Sequence, residues 1–501
     1  MHIAFLNPQG NFDPQDSYWT EHPDFGGQLV YVKQVALAMA DAGHKVDILT
    51  RQIIDPEWPE FSAPQESYDD APRVRILRLP AGPQAFLRKE LLWPHLVNDW
   101  VPNILALYEA DGRLPDAFTG HYADGGLAGA LIEESTGIPF TFTGHSLGAQ
   151  KMDKLSVTED NLAEMDTHYH FARRLLAERL SMSRSGVTIT STHQERREQY
   201  GHRAYRKATD VRDDRRFEVV PPGVNLAIFG SDIANAHEAE TQAHVTAMLA
   251  RDIDTDRRRL PAVVASSRLD PKKNLLDLVR AFAQTPELQR RANLVLFTGA
   301  HNDPLRDDAA ANPTEKRVLA QIREVVQNAD LWGRIATFAL RGQPALAAAY
   351  RFLAQRGSVF ALTALYEPFG LAPLEAAAAG LPLVVTRNGG PSESLREADT
   401  EYGVLVDPAD PADIADGLLR LLRDAETWRG FAQRGRQRIL DRYTWERTAE
   451  GYLTLIEAMV SDPKARRPDA LLPIHPYFDI PSAATDITLE ELRRIYFGGE
   501  G

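Results

Sequence analysis

With 501 residues, 44% of them hydrophobic and 25% charged, the chain has the composition of a globular protein and exceeds what one hydrophobic core usually covers, so two domains are expected. Its formal net charge of −14 disfavours nucleic acid and anionic membranes as partners, and the lack of cysteine excludes disulfides and thiolate metal sites. No apolar run approaches the roughly 20 residues of a membrane span, and residues 1–8 read as a strand rather than a signal peptide, which predicts a cytoplasmic protein.

The first part of the chain alternates short β-rich runs with amphipathic stretches. This alternation is typical of βα units that build a parallel sheet. Helices are predicted at 29–42 and 166–183. The predicted strands are 2–7, 45–51, 74–79, 117–120, 140–143, 187–191 and 217–220.

The pattern breaks at Pro221-Pro-Gly-Val-Asn225 and resumes after a polar stretch at 231–259, which predicts a domain hinge. A second series of strands is then predicted at 262–266, 293–298, 335–338, 358–363, 381–386 and 403–405. The last part of the chain has a predicted helix at 444–460, a tail with Pro468, Pro473, Pro476 and Pro481, and a short helical pattern at 489–497.

The fold class predicted from this order is α/β, with two Rossmann-like, doubly wound parallel-sheet domains. The predicted domains are 1–225 and 226–445, followed by a helix and tail at 446–501. Because such sheets bind ligands at the carboxyl ends of their strands, the site is expected there, in a cleft between the domains.

The most specific motif is Tyr366-Glu-Pro-Phe-Gly-Leu-Ala-Pro-Leu-Glu375, which follows a predicted strand and leads into a predicted helix. Glu367 is expected on the loop and Glu375 in the first helical turn, both facing the cleft. The amide groups of Leu371 and Ala372 are expected at the helix N-terminus, where phosphate binds readily. Since carboxylates suit sugar hydroxyls and amides suit a pyrophosphate, the motif predicts a nucleotide-sugar site.

Two cations precede this motif in the second domain. Arg268 and Lys273 lie five residues apart on a predicted strand-to-helix loop, so both can reach one cleft. A departing nucleoside diphosphate gains negative charge, which fixed cations stabilise without reorganisation. Asn388-Gly-Gly-Pro391, after a later strand, is a weaker candidate for a turn beside a phosphate or sugar.

The first domain carries three motifs at predicted strand ends or helix starts. In Phe25-Gly-Gly-Gln28 the glycines allow a ligand to approach the backbone and Gln28 can hydrogen-bond a sugar. The others are His121-Tyr-Ala-Asp-Gly-Gly126 and Gly144-His-Ser-Leu-Gly-Ala-Gln-Lys151. His145 in the last of these is placed to position a sugar hydroxyl.

Basic residues of the first domain predict an anionic acceptor. They are Arg88, Lys89, Lys151, Arg173 and Arg174. An acceptor phosphate would pair with such charges, whereas a bare sugar would not. Because adjacent helical residues diverge by about 100°, only one of Arg173 and Arg174 is expected to face inward.

These motifs together resemble those of the bacterial sucrose-phosphate synthases, family-4 retaining glycosyltransferases of the GT-B fold, in which two Rossmann domains face each other across a cleft. The matching motifs span both domains and essentially residues 1–460. The resemblance also implies that the tail crosses back to pack on the N-terminal domain.

In that family UDP-glucose donates a glucosyl group to the 2-hydroxyl of fructose 6-phosphate, giving sucrose 6-phosphate and UDP. The catalytic residues that the resemblance implies are His145, Arg268, Lys273 and Glu367. The implied donor site comprises Gly27, Arg268, Lys273, Leu340, Phe369, Gly370, Leu371, Ala372 and Glu375. The implied acceptor site comprises Gly27, Gln28, Lys89, His145, Lys151, Arg173 and Arg174.

The resemblance requires no metal and no cofactor beyond the co-substrate UDP-glucose, and any stimulation by magnesium is expected to be non-essential. The expected partners are the two small-molecule substrates and a separate sucrose-phosphate phosphatase. A double displacement would need a carboxylate opposite the leaving group. Since the sequence offers no specific candidate, same-face substitution is expected.

Other functions stay open on the sequence. The same chemistry can use ADP-glucose or GDP-mannose as donor, or free fructose as acceptor, as in sucrose synthases. A glycogen-phosphorylase-like enzyme would need a Schiff-base lysine for pyridoxal phosphate, and a sensor would bind the sugar nucleotide without turnover. The sequence sets neither the nucleotide base nor the oligomeric state.

Overall fold

The computed structural model describes residues 1–19, 22, 25–233, 236, 238–299, 301–463, 465–466 and 471–498. The chain separates into two compact units. The first comprises Met1–Pro221 and Thr448–Gly501, and the second comprises Pro222–Arg447. The domain limits predicted from the sequence were 225 and 445. Pro468 of the predicted tail lies outside the described residues.

The first unit is built on an eight-stranded sheet. Its strands are β1 His2–Leu6, β2 Lys45–Arg51, β3 Gln65–Tyr68, β4 Ala71–Leu79, β5 Ala117–His121, β6 Phe140–Thr143, β7 Val187–Thr190 and β8 Phe217–Val219. Their order is β3-β4-β2-β1-β5-β6-β7-β8, and every pair is parallel except β3 with β4.

Helices pack against this sheet. Its longer helices are Gly27–Asp41, Val101–Ala110, Tyr122–Thr136, Gly148–Lys154, Leu162–Tyr169 and Phe171–Arg184, joined by most of Trp445–Ser461. The tail adds the helix Leu489–Arg493. All of β1 is buried, as expected for a parallel strand covered on both faces.

Gly125 lets the helix Tyr122–Thr136 approach β1 closely. A Cβ atom at Gly125 would lie 2.2 Å from the carbonyl oxygen of Leu6, which no side chain tolerates. The N-terminal turn of this helix is thereby held beside the carboxyl ends of β1 and β5.

The second unit is built on a six-stranded parallel sheet. Its strands are β9 Ala262–Ser266, β10 Asn293–Phe297, β11 Ile335–Phe338, β12 Val359–Leu362, β13 Leu383–Thr386 and β16 Val404–Val406, with the hairpin β14 Arg396–Glu397 and β15 Thr400–Glu401 between the last two. The order in the sheet is β11-β10-β9-β12-β13-β16. Its longer helices are Glu238–Asp252, Leu275–Gln284, Pro286–Arg291, Pro313–Asn328, Gln343–Ala354, Leu371–Ala378, Pro411–Leu422 and Ala425–Arg442.

The prediction of two doubly wound α/β domains is confirmed, and each predicted strand is found with small shifts of its ends. Two features were missed. Strand β3 is a polar edge strand in which only Tyr68 is buried, so it lacks the apolar run that marks a parallel strand. Each strand of the hairpin β14–β15 has only two residues, too few to show a hydrophobic pattern in the sequence.

The helix predicted at 166–183 is wrong in one respect, because two helices, Leu162–Tyr169 and Phe171–Arg184, cover this region. They meet at His170, whose φ of 49° lies in the left-handed region. A left-handed residue ends the first helix and turns the chain, which the amphipathic pattern alone does not reveal.

The two units divide at Pro221, next to the predicted break at Pro221–Asn225. The polar stretch at 231–259 that follows this break contains the helix Glu238–Asp252. Among the residues that the structure describes, none of the helices combines the length and the hydrophobicity needed to span a bilayer.

Candidate functional site

Neighbouring strands of the first unit end at residues that the sequence singled out. β1 lies beside β5, and β5 lies beside β6. The chain leaves these strands at Leu6, His121 and Thr143, so the loop after β1, the helix after β5 and the turn that carries His145 start at one edge of the sheet. The carboxyl edge of a doubly wound sheet is where ligands bind.

A cavity of about 190 Å³ in this unit brings together Lys89, Lys151 and Arg174, which come from distant parts of the sequence. The Lys151 ammonium also lies 4.1 Å from the ring centroid of Tyr169. The cavity is lined by Gln9, Lys89, Glu90, Trp93, Tyr122, Ala123, Asp124, Ser146, Lys151, Tyr169 and Arg174. It therefore combines cations with carboxylate, amide and hydroxyl groups.

Arg173, assigned to the acceptor site from the sequence, is not among the residues that line this cavity. Its Nη2 lies 2.9 Å from Oδ2 of Asp486, and its guanidinium stacks 4.7 Å from the ring centroid of Tyr477. Both partners belong to the C-terminal tail. Arg174 lines the cavity, whereas its neighbour faces about 100° away on the same helix, so the acceptor role of Arg173 remains a prediction.

Glu178, one helical turn after Arg174, holds the cationic wall of the cavity in place. It is fully buried, and its carboxylate accepts from Gly148 N at 2.8 and 2.9 Å, from Arg174 Nε at 3.0 Å and from the hydroxyl of Tyr205. Gly148 is the first residue of the helix that carries Lys151. One buried carboxylate thus fixes two of the cavity's cations.

Gln28 has a buried donor from which no described residue accepts a hydrogen bond. Its side chain is 7% exposed, and its Nε2 has no hydrogen-bond partner in the described part of the chain. Gln28 is the second residue of the helix Gly27–Asp41. A Cβ atom at the preceding residue, Gly27, would meet no described atom within 4 Å. An unmade buried hydrogen bond is costly, so a ligand that accepts from Gln28 would remove this cost. The predicted roles of Gly27 and Gln28 remain predictions.

His145 has an unusual backbone conformation, and its ring lies among aromatic side chains. Its φ of 52° is left-handed, and its Nε2 lies 2.8 Å from Nδ1 of His121. The rings of Tyr31 and Tyr122 lie 5.0 and 5.2 Å away. Burial lowers the pKa of His145 to about 3, so the ring is neutral at physiological pH.

The last long helix supports the turn that carries His145. Tyr452 of that helix lies with its hydroxyl 3.1 Å from the hydroxyl of Tyr31 and 2.7 Å from Oγ1 of Thr143. All three side chains are buried. The segment that starts the tail is therefore part of the first unit's site architecture.

In the second unit, the loop of the nucleotide-sugar motif is held by the Asn388-Gly-Gly turn. Glu367 N donates to Asn388 O, and Gly390 N donates to Glu367 O, both at 3.0 Å. Gly389 has a φ of 102°, and a Cβ atom there would lie 2.0 Å from Glu367 O. These glycines are needed for the approach of two loops, a role that the sequence did not indicate.

Lys273 and Glu367 form an ion pair, with Nζ 2.8 Å from Oε2. The two residues come from the loops after β9 and β12, which are adjacent strands. Arg268, on the same loop as Lys273, is exposed, and no ion pair of its side chain is found within the described ranges. The predicted donor residues of these loops thus lie at one edge of the second sheet.

The helix Leu371–Ala378 begins after Gly370, whose φ of 96° provides the predicted tight turn. Its N-terminal residues are Leu371 and Ala372, as predicted. Glu375 is the fifth residue of this helix, so its predicted place in the first turn is wrong. Burial raises the pKa of Glu375 to about 7.

Leu340 and Phe369 are partly buried against a hydrophobic cluster of the second unit. Leu340 follows the end of β11, and the ring of Phe369 lies 6.2 Å from that of Tyr443. Both therefore border loops at the carboxyl edge of the sheet, where the sequence placed the donor site.

Glu375 should make stability depend on pH. Its pKa in the fold, about 7, is raised above its ordinary value of 4.5, so its stabilising contribution is complete below that ordinary value and is lost as pH rises through about 7. Glu375→Gln stays neutral and is expected to have a higher Tm than the native protein at about pH 8.5, but a similar Tm at about pH 5. Equal Tm values at both pH values would contradict the burial argument.

The residues of the site to which the sequence assigned no role include Trp93, Asp124 and Glu178. Asp124 lies in a quoted motif, its Oδ1 accepts from Gly125 N at 2.9 Å, and burial raises its pKa to about 6. Trp93 is 5% exposed, and its Nε1 has no acceptor among the described residues. The i,i+4 spacing of Glu178 to Arg174 on a predicted helix indicates an ion pair, but not that the pair is buried at the site.

Comparison with known proteins agrees with this architecture. Residues 26–223 match the model of a glycosyl transferase 4-like domain, and residues 252–438 match that of glycosyl transferases group 1. A sucrose-phosphate synthase structure from Thermosynechococcus elongatus is 26% identical, with a TM-score of 0.62 over 92% of this chain and 99% of that one. The fold and these matches define a GT-B hexosyltransferase.

Relatives with similar sequences identify the family within this class of hexosyltransferases. A probable sucrose-phosphate synthase from Thermosipho melanesiensis is 40% identical over 460 residues, which cover 91% of this chain and 96% of the relative. The chain belongs to the sucrose-phosphate synthase family. A probable sucrose-phosphate synthase 4 from Oryza sativa is 31% identical over 97% of this chain, and the chain spans about half (49%) of that plant relative's length.

Proposed function

We propose that this hexosyltransferase moves a glucosyl group from UDP-glucose to the 2-hydroxyl of fructose 6-phosphate, with retention of configuration, to give sucrose 6-phosphate and UDP. The observation that carries the proposal is the cavity that combines Lys89, Lys151 and Arg174 with Asp124. Cations bind phosphate, whereas a carboxylate accepts hydrogen bonds from sugar hydroxyls. A sugar phosphate pairs with both the cations and the carboxylate, whereas a neutral sugar pairs with the carboxylate alone.

The donor is assigned to the second unit. Arg268, Lys273 and the amides of Leu371 and Ala372 supply the positive charge and helix N-terminus that suit a diphosphate. In this proposal Glu375 accepts from the ribose hydroxyls and Glu367 from those of the donor hexose. The base lies beside Leu340.

The proposed chemistry is a same-face substitution. The acceptor oxygen attacks the anomeric carbon on the face that the diphosphate leaves, the bond to UDP breaks, and the acceptor proton passes to a phosphate oxygen of UDP. Glu367 is engaged by Lys273, which does not suit a nucleophile on the opposite face. Mass spectra of enzyme quenched during turnover should show no glucosyl adduct, and such an adduct would replace this course with a double displacement.

The test is UDP release from UDP-glucose with fructose 6-phosphate and with fructose in parallel. Release with the phosphate ester alone is the expected result. Lys151→Ala should raise the KM for fructose 6-phosphate by about tenfold or more, since a charged hydrogen bond is worth about 1.5–3 kcal/mol. Lys154→Ala is the matched control, because Lys154 lies on the same helix but not in the cavity.

The other outcomes decide between the alternatives. Equal release with fructose would show that the cavity does not select for phosphate. Release only with ADP-glucose or GDP-mannose would keep the acceptor assignment and change the donor. No release with any of these donors would refute the proposal.

Trp93→Phe is expected to raise the KM for fructose 6-phosphate by about three- to tenfold, because Trp93 lines the cavity and the substitution removes a neutral donor that has no acceptor among the described residues. Trp100→Phe is the control, since its indole is also buried but donates to Thr50 O at 3.1 Å. Steady-state kinetics should show little change in kcat for either variant. An unchanged KM in Trp93→Phe would mean that its Nε1 does not contact the acceptor.

The proposed reaction assigns no step to a metal, so activity should persist in EDTA. The product is a phosphate ester, and we propose that a separate sucrose-phosphate phosphatase consumes it in the cytoplasm. Hydrolysis would draw the transfer forward by removing its product.

A further inference from the structure

A chain of buried polar side chains leads from the interior of the first sheet to His145. Thr141 Oγ1 donates to Thr119 Oγ1 at 2.8 Å, and Thr119 Oγ1 lies 3.2 Å from His121 Nε2. His121 Nδ1 lies 2.8 Å from His145 Nε2. Thr119, His121 and Thr141 are each fully buried, so water does not compete for these groups.

One arrangement of the protons in this chain gives the buried hydroxyl proton of Thr119 an acceptor. Because Thr119 accepts from Thr141, its own proton is directed to the remaining partner, Nε2 of His121. A neutral His121 must then carry its proton on Nδ1 and donate it to Nε2 of His145. A neutral His145 in turn carries its proton on Nδ1.

Both imidazoles are held neutral and in place. Burial lowers the pKa of each ring, and the neighbouring His145 lowers the pKa of His121 further. The ring of His121 stacks on Phe5, with centroids 5.5 Å apart at an interplanar angle of 10°. Thr119 and His121 both lie on β5, two residues apart, so their side chains leave the same face of the strand.

We propose that Thr141, Thr119 and His121 are positioning residues that fix His145 as the tautomer with its proton on Nδ1. That N–H has no acceptor among the described residues, so it is available to donate to a substrate hydroxyl. The catalytic consequence rests on the proposed function, whereas the tautomer itself does not. The position of the proton on a histidine ring decides which nitrogen donates a hydrogen bond and which accepts one. The hydrogen-bonded chain Thr141–Thr119–His121, the relay, therefore determines that His145 presents a donor at Nδ1.

The first experiment measures the tautomer directly. Long-range 1H–15N correlation spectra of the full chain labelled with 15N-histidine report which nitrogen is protonated. The His145 signals are identified by their loss in His145→Asn. Protonation on Nδ1 in the substrate-free protein is expected, and protonation on Nε2 overturns the proposal whatever the activity.

The second experiment removes one link. Thr119→Val keeps the shape of the side chain but removes the donor to His121, so a mixture of tautomers is expected at His145. Steady-state kcat should fall by about tenfold, the effect of losing about 1.4 kcal/mol of transition-state stabilisation. Thr119→Ser restores the hydroxyl and should restore both the spectrum and kcat.

Thr190→Val is the matched control. Thr190 is also a buried strand threonine of the same sheet, but its hydroxyl has no hydrogen-bond partner in the described residues. It should change neither the His145 spectrum nor kcat. If Thr119→Val leaves the spectrum unchanged, the relay does not set the tautomer and the proposal fails.

The spectra and the assay separate two kinds of failure. The expected tautomer without any UDP release would refute the proposed function and leave the relay intact. UDP release with protonation on Nε2 would support the function and refute the relay.

Discussion

Lys273→Ala is expected to lower kcat for UDP release by about 10²–10³-fold, the size of effect seen when a fixed group that stabilises developing charge is removed. In the proposed reaction the charge develops on the departing diphosphate. Lys273 Nζ already lies 2.8 Å from Glu367 Oε2, so it is held by the protein before any substrate binds. A preorganised cation stabilises the transition state without reorganisation.

Loss of Lys273 should act twice. It removes the cation, and it leaves Glu367, whose side chain is 14% exposed, without its counter-charge. An uncompensated carboxylate beside a diphosphate adds repulsion to the lost attraction. The KM for fructose 6-phosphate should change little, because that substrate is assigned to the other unit.

Lys272→Ala is the matched control for this prediction. Lys272 is the adjacent residue on the same loop and is exposed, so its removal changes the net charge of the protein equally. Its kcat should stay near that of the native enzyme. Similar losses in both variants would show that only the general charge of the loop matters.

The fold was predictable because parallel strands leave a continuous apolar pattern. All of β1 and all of β10 are buried, and runs of this kind fixed the order of βα units along the chain. The pattern failed at β3, an edge strand whose alternate residues face solvent. It also failed at His170, because a single left-handed residue ends a helix without changing its periodicity.

The candidate site was predictable where its residues follow strand ends. Lys151, Lys273 and Glu367 belong to loops or helix starts of this kind, and the structure places each at the carboxyl edge of its sheet. The ion pair of Arg173 with Asp486 could not be predicted, because the sequence does not show which face of its helix the tail covers. The relay to His145 could not be predicted from the sequence, because Thr119 and Thr141 do not differ in sequence pattern from other threonines in strands.

Glu178 shows most clearly why the rest of the site could not be read from the sequence. It is one of 70 acidic residues, and an acidic side chain on an amphipathic helix is usually solvated. Only the structure shows that it is fully buried and accepts from Gly148, Arg174 and Tyr205. Its importance follows from these contacts.

Glu178→Ala should therefore destabilise the first unit by about 3–5 kcal/mol, the cost of leaving a buried charge without its partner. The uncompensated group is the guanidinium of Arg174, and the N–H of Gly148 and the hydroxyl of Tyr205 lose their acceptor as well. A markedly lower Tm is expected in thermal unfolding. Glu133→Ala is the control. Glu133 forms a buried ion pair with Arg184, which lies on the same helix as Glu178, and the two atoms Arg184 Nη1 and Glu133 Oε2 are 3.1 Å apart. Neither residue of this pair lines the cavity.

The effect of Glu178→Ala on the acceptor has two opposing parts. An uncompensated Arg174 attracts phosphate more strongly, but the same change frees the guanidinium and the helix that carries Lys151 to move. Misplacement by about 1 Å can cost about 10²-fold in rate, which exceeds the gain from one partly screened charge. The KM for fructose 6-phosphate should therefore rise by at least about tenfold in Glu178→Ala, but not in Glu133→Ala. A lower KM in Glu178→Ala would mean that charge outweighs position in this cavity.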